Sequence, residues 1–106
     1  MNSSLIVLLV CVIAFASARF SCGQDALQAS FAEALVKNDC KGRLQKIDNC
    51  CAAHTRCHKQ KQASKGDCDA RFCTCAKNAA AKLPLCVMQT DNLCNTAKSF
   101  GDILRG

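Results

Sequence analysis

The sequence contains no tryptophan and no tyrosine, and only three of its five phenylalanines, Phe31, Phe72 and Phe100, lie beyond residue 20. A chain of 106 residues with so few large apolar side chains builds only a thin hydrophobic core. The aromatic residues are also not interleaved with the basic ones, as they are in proteins that stack the bases of single strands. We therefore expect no nucleic-acid partner, and a fold that needs support beyond hydrophobic burial.

The sequence also offers no apolar run that we expect to span a bilayer. The run of residues 5–16 has roughly a dozen residues, whereas a spanning helix needs about 20. No charged side chain precedes Arg19, and Ala16-Ser17-Ala18 is a site that signal peptidase accepts. We expect residues 1–18 to be a secretory signal peptide and residues 19–106 to be a secreted, extracellular domain without a transmembrane segment. A retained membrane anchor is the alternative.

Internal repeats, low-complexity linkers and segments that alternate with period two are absent as well, so the sequence favours a single, mainly α-helical domain. We expect helices over residues 26–37, 43–62, 67–82 and 86–104. Pro84 ends the third helix and Gly101 interrupts the last. In the first helix one face carries Leu27, Phe31, Ala34 and Leu35.

Cysteine, by contrast, is abundant. Of the eleven cysteines, one (Cys11) falls in the expected signal peptide and ten lie beyond it. An even number of cysteines in a short exported chain predicts a disulfide framework. We therefore expect five disulfides, which compensate for the thin core.

Positive charge is the other excess. Fourteen basic and eight acidic residues give a formal net charge of +6. This charge favours an anionic partner such as a phospholipid membrane surface. Four basic residues lie close together near the end of the second expected helix: Arg56, Lys59, Lys61 and Lys65. The alternative is an ordinary solvated surface, since basic side chains also complement a helix C-terminus.

The spacing of four cysteines predicts how two helices pair. Cys50 and Cys57 are seven residues apart, as are Cys68 and Cys75. Seven residues are about two helical turns, so each pair lies on one face of its helix. If a short turn makes the two helices antiparallel, one register joins Cys57 to Cys68 and Cys50 to Cys75.

The same register brings a histidine and a carboxylate together. His54 lies between Cys50 and Cys57, and Asp69 directly follows Cys68 on the opposing helix. A carboxylate beside an imidazole fixes its tautomer and stabilises its protonated form, as at many general bases. Such a pair is also common as a purely structural contact.

Two motifs resemble those of a known family. Residues 48–57 (Asp-Asn-Cys-Cys-Ala-Ala-His-Thr-Arg-Cys) resemble the Cys-Cys-x-x-His-Asp-x-Cys active-site helix of secreted phospholipase A2. Residues 68–75 (Cys-Asp-Ala-Arg-Phe-Cys-Thr-Cys) resemble its second catalytic helix. The short invertebrate members also begin near a Cys-Gly, here Cys22-Gly23, and close with a Phe-Gly, here Phe100-Gly101. The resemblance implies a small, disulfide-rich phospholipase A2-like fold with two antiparallel bridged helices.

The resemblance also implies roles for individual residues. His54 would activate a water for attack on the sn-2 ester of a phospholipid, and Asp69 would orient it. In the family the aspartate after the histidine binds calcium, which stabilises the oxyanion. Here Thr55 holds that position, and a neutral hydroxyl is a poor substitute for a carboxylate ligand of a hard dication.

Two further departures point the same way. Family members supply backbone carbonyls from a glycine-rich loop, whereas here Gly42 is the only glycine between Gly23 and the motif. The tyrosine that supports the aspartate is replaced by His58. We therefore expect calcium-dependent ester hydrolysis to be lost or impaired, with no metal and no other cofactor unless calcium binding survives.

Three alternatives stay open. The chain could be an active, divergent phospholipase that takes calcium ligands from backbone carbonyls of residues 40–43. It could be a non-enzymatic, cationic membrane-binding effector. His54 and His58, at i and i+4, could also bind a metal, but the sequence shows no clear third ligand, and cysteines in an oxidising compartment pair with each other.

The family pattern further implies a Cys40–Cys51 disulfide, which ties the preceding loop to the double cysteine. Four cysteines then remain, and their spacing allows three connectivities: Cys22, Cys73, Cys86 and Cys94.

Overall fold

The computed structural model describes residues 20–23 and 26–105, and four helices account for most of them. They are α1 (Ala26–Asp39), α2 (Leu44–Lys59), α3 (Lys65–Ala79) and α4 (Pro84–Arg105). No strand occurs in these residues, which confirms the mainly helical class. The expected signal peptide, residues 1–18, lies outside the described part. Among the described helices, none combines the length and the apolar character that a membrane span requires.

The turns between the helices differ in detail from the expectation. Helix α2 ends at Lys59, and Lys61 adopts a left-handed backbone with φ of 49°. Helix α3 begins earlier than expected because Ser64 caps it, accepting a hydrogen bond from the backbone N–H of Asp67. Pro84 opens α4, where its missing N–H costs no helical hydrogen bond.

Helix α4 runs through Gly101 without a break, so the expected interruption there is wrong. The glycine serves a packing role instead. A Cβ atom at this position would lie 2.9 Å from Lys65 Cε and 3.1 Å from His58 Cε1. Glycine therefore allows α4 to approach the facing side of α2 and α3 more closely than any other residue would.

Five disulfides connect the chain. They join Cys22 to Cys51, Cys40 to Cys86, Cys50 to Cys75, Cys57 to Cys68 and Cys73 to Cys94. The two bonds between α2 and α3 are those that the spacing predicts. Because the later cysteine of α2 pairs with the earlier cysteine of α3, the two helices are antiparallel.

The expected Cys40–Cys51 disulfide is wrong. Cys40 accepts a hydrogen bond from the backbone N–H of Arg43, which holds it at the N-terminal end of α2. Cys51 lies about two turns, or about 10 Å, further along that helix, beyond the reach of a disulfide. Cys40 instead meets Cys86 in the first turn of α4, and Cys51 meets Cys22 in the segment before α1.

The core is built largely from cystines and small side chains. Its largest fully buried apolar residues are Phe72, Ile47 and Val36, and Phe20 is buried as well. Around them lie buried alanines and the cystine sulfurs. Phe20 thus adds one more aromatic ring to this thin core, beside that of Phe72.

The apolar face of α1 does not enter the core. Leu27, Phe31 and Leu35 are 66%, 65% and 50% exposed, while Ala29 and Val36 of the same helix are buried. Large apolar side chains at the surface are informative when they form a contiguous group.

The two glycines of α3 and α4 allow a matched test of the close approach at Gly101. Gly66→Ala has open space around it and should raise the free energy of unfolding by about 0.5 kcal/mol, through the lower conformational entropy of the unfolded chain. Gly101→Ala should instead lower it by about 1 kcal/mol because the buried ring of His58 cannot move aside. Denaturant unfolding measures both values, and an equal gain from the two substitutions would contradict the close packing.

Candidate functional site

Helices α2 and α3 bring three buried polar side chains together: His54, His58 and Asp69. The histidines are one turn apart on α2, and the bridged register places Asp69 of α3 opposite them. Asp69 Oδ1 lies 2.7 Å from His54 Nε2 and 2.8 Å from His58 Nε2. The structure thus shows the His54–Asp69 proximity that the cysteine spacing predicts, and adds a second histidine to it.

The carboxylate of Asp69 is fully engaged. Because an ionised carboxylate only accepts hydrogen bonds, the two imidazoles donate to its Oδ1. Its Oδ2 accepts from Lys65 Nζ at 3.1 Å. No buried side-chain nitrogen or oxygen among the described residues lacks a partner.

The surroundings shift two pKa values. Burial lowers the pKa of His54 below its usual 6.5, and this outweighs the opposing hydrogen bond to Asp69. Burial acts to raise the pKa of Asp69, but hydrogen bonds from His54, His58 and Lys65 together lower it below the usual 3.8. At neutral pH the pair is therefore a neutral imidazole beside a carboxylate, which is the state that a general base requires.

His58 is fully buried, and both of its ring nitrogens have partners. While Nε2 faces Asp69, Nδ1 lies 3.3 Å from Arg105 Nη1, which also donates to the backbone carbonyl of Ala63 at 3.0 Å. The sequence pointed to His58 only as a replaced tyrosine and as a metal ligand. His58 Nε2 also lies 2.8 Å from Asp69 Oδ1. The i, i+4 spacing of His54 and His58 was the sequence signal that the two histidines share one face of the helix.

The three side chains also form the donor set of a metal site. Their ligand atoms lie within 4.8 Å of one another, and Asp69 supplies the third ligand that the sequence did not reveal. The surrounding hydrogen bonds do not suit a dication. A histidine bound through Nε2 carries its proton on Nδ1, where His58 faces the donor Arg105, and Lys65 adds a second positive charge.

A cavity of about 570 Å³ lies beside His54. Helices α1, α2 and α4 all contribute to it. Its largest apolar lining residues are Phe31, Leu35, Leu93, Phe100, Ile103 and Leu104. Since Nε2 of His54 is bound to Asp69, the nitrogen available to a molecule in this cavity is Nδ1.

Thr55 lines the same cavity, next to His54, and is half-buried. None of the described residues that line the cavity is an aspartate or a glutamate. Residues 40–43, the backbone source of calcium ligands considered from sequence, are not among its lining residues either. The described part of the cavity therefore offers hydroxyl, amide and backbone oxygens but no carboxylate.

Comparison of the chain with protein-family models, curated proteins and solved structures finds no match. The family resemblance therefore depends on the residues and their geometry.

The lowered pKa of His54 can be measured by NMR titration of its ring. The pKa should lie below 6.5 in the folded chain, and Asp69→Asn should lower it further because the carboxylate favours the charged imidazole. Asp67→Asn, an exposed site on the same helix, should leave it unchanged. A His54 pKa at or above 6.5 in the unmodified chain would contradict the burial effect.

The same shifts predict how stability depends on pH. Since the folded pKa of His54 is below the unfolded value, the unfolded chain binds more protons, and stability should fall as the pH drops from about 6.5 towards the folded pKa. The contribution of Asp69 is lost at lower pH, as the pH falls below about 3.8 and through its folded pKa. Denaturant unfolding between pH 8 and 5 measures the first effect. The Asp67→Asn control should show the same dependence of the free energy of unfolding on pH as the unmodified chain.

Proposed function

We propose that this chain is a phospholipase A2-like protein that binds phospholipid, and in which calcium-dependent hydrolysis of the sn-2 ester is lost or strongly reduced. One observation carries the proposal. A buried His54–Asp69 hydrogen bond lies beside a mainly apolar cavity, and the wall of this cavity includes Thr55. In the family that the chain resembles, the position of Thr55 carries the calcium-binding aspartate.

His54 has the properties that a general base requires. Its Nε2 is held by Asp69, its pKa is lowered by burial, and Nδ1 is available to the cavity. A water bound at Nδ1 could be deprotonated for attack on an ester carbonyl. These contacts support a general-base role for His54 and a positioning role for Asp69.

The cavity has the chemistry of a lipid-chain site. Its volume of about 570 Å³ is in the range of small-molecule sites, and its lining is mainly aliphatic and aromatic. Polar side chains also line the cavity, among them Gln89, Asn92 and Thr96. An acyl chain would be shielded from water by the lining, while its ester would lie near His54.

The described residues of the cavity lack the carboxylate ligands that a calcium site usually contains. Calcium takes six to eight oxygen ligands, usually with one or more carboxylates among them. Thr55 contributes a neutral hydroxyl, and the described cavity residues add no carboxylate. Without the dication, the negative charge that develops on the carbonyl oxygen lacks its main stabilisation, so the base alone gives little rate enhancement.

The five disulfides favour an oxidising environment such as the extracellular space. Phospholipid outside the cell is present in membrane and vesicle surfaces, so an extracellular location is consistent with the proposed phospholipid ligand.

A second function, binding to anionic membranes without catalysis, is favoured by the rim of the cavity. Phe31, Leu35 and Ile103 line the cavity and are also largely exposed. We refer to these three side chains as the apolar rim. Together with the net charge of +6, the apolar rim suits contact with an anionic bilayer.

The role of Thr55 is tested by hydrolysis of phospholipid vesicles with and without calcium. The unmodified chain should show turnover near background, whereas Thr55→Asp should bind calcium at least about tenfold more tightly and gain calcium-dependent turnover. Thr96→Asp, which places a carboxylate elsewhere in the cavity, is the control, and His54→Gln in the Thr55→Asp background should abolish the gain. Robust calcium-dependent turnover by the unmodified chain would show an active, divergent enzyme instead.

Membrane contact is tested by binding to anionic vesicles. The double variant Phe31→Ala, Ile103→Ala should weaken partitioning by at least about tenfold, because each truncation removes apolar area from the contact. The double variant Leu85→Ala, Met88→Ala is the matched control, since both side chains are similarly exposed but do not line the cavity. Equal effects of the rim and control variants would argue against membrane contact through the apolar rim.

A further inference from the structure

We propose that His58 is a positioning residue for His54 and Asp69, and that Arg105 sets its tautomer so that its Nε2–H points at Asp69. Its catalytic consequence rests on the proposed function, whereas the tautomer itself can be tested without any substrate.

The proton positions follow from the partners of His58. A guanidinium group only donates, so the contact with Arg105 requires Nδ1 of His58 to be the acceptor. A carboxylate only accepts, so the contact with Asp69 requires Nε2 to carry the proton. Nε2 of His58 also lies 3.1 Å from Nε2 of His54, but Oδ1 of Asp69 is nearer to both nitrogens, at 2.8 and 2.7 Å, and accepts from each. One state of His58 satisfies these contacts, the neutral ring with its proton on Nε2.

The packing keeps this ring in place. His58 lies edge-on to the ring of His54, with 4.5 Å between the centroids. Gly101 of α4 leaves room for His58 Cε1, and Arg105 is one turn further along α4. The last helix thus supplies both the space for the ring and the donor that orients it.

His58 affects His54 through Oδ1 of Asp69, the oxygen that both histidines contact. Two N–H donors hold Oδ1 of Asp69, and Lys65 holds Oδ2, so the carboxylate cannot rotate without losing a hydrogen bond. A fixed carboxylate in turn fixes the ring of His54 with Nδ1 available to the cavity. His58 therefore acts through Asp69 and needs no contact with a ligand.

Long-range ¹H–¹⁵N NMR correlation on the full chain at pH 7.5 tests the tautomer. His58 should show an unprotonated Nδ1 and a protonated Nε2, and Arg105→Ala should convert about half or more of it to the other tautomer or to exchange between the two. Arg71→Ala, an exposed site on α3, is the control. A protonated Nδ1 in the unmodified chain, which is the form that a metal at Nε2 needs, would overturn the proposal.

Variants of His58 test the positioning role. His58→Gln keeps a donor, and the pKa of His54 should stay close to that of the unmodified chain. His58→Leu removes the donor, and the pKa of His54 should rise because the freed lone pair of Asp69 then favours the charged imidazole. In the Thr55→Asp background, His58→Leu should lower kcat more than it changes KM, with rescue by His58→Gln. An unchanged pKa of His54 in His58→Leu would refute a positioning role, and where that variant does not fold, Arg105→Ala provides the same test.

The two proposals fail separately. A confirmed tautomer with no hydrolysis in the Thr55→Asp variant and no vesicle binding would refute the proposed function and leave the hydrogen-bond assignment of His58 in place. Hydrolysis that appears in Thr55→Asp and does not depend on His58 would refute only the positioning role.

Discussion

Two disulfides fix the antiparallel register of α2 and α3, and the candidate site depends on that register. Cys50–Cys75 and Cys57–Cys68 are two turns apart on each helix, so neither helix can slide or rotate relative to the other. Asp69 follows one of these cysteines directly, and the histidines lie within a turn of the bridged positions. A displacement of one residue would turn the carboxylate by about 100° around its helix axis and separate it from both imidazoles.

The sequence was sufficient for features that follow from helical geometry within two neighbouring elements. The α2–α3 disulfides and the approach of His54 to Asp69 are of this kind. The Cys40–Cys86 disulfide was not predicted because it depends on how α4 packs against the other helices. The contact between Arg105 and His58 was not predicted for the same reason. Periodicity also showed that Phe31 and Leu35 share a face of α1, but it cannot tell whether such a face points to the core or to a cavity.

The composition of the core explains why apolar side chains remain for a cavity. Cystines and alanines fill most of the interior, and small side chains allow the helices to pack closely. Several larger apolar residues of α1 and α4, among them Phe31, Leu35 and Ile103, then remain outside the core and line the space beside His54. A chain without tryptophan and tyrosine thus relies on covalent links for stability, while Phe31, Phe100 and several leucines line the cavity.

The disulfides between α2 and α3 also make the geometry of the site depend on redox conditions. In a reducing compartment the four cysteines would be thiols, the register would rest on a thin core alone, and Asp69 would no longer be held against the histidines. The same polypeptide would then lack the organised candidate site while it is reduced and acquire it on oxidation. Oxidation of these cysteines would thus be the step that completes the geometry of the site.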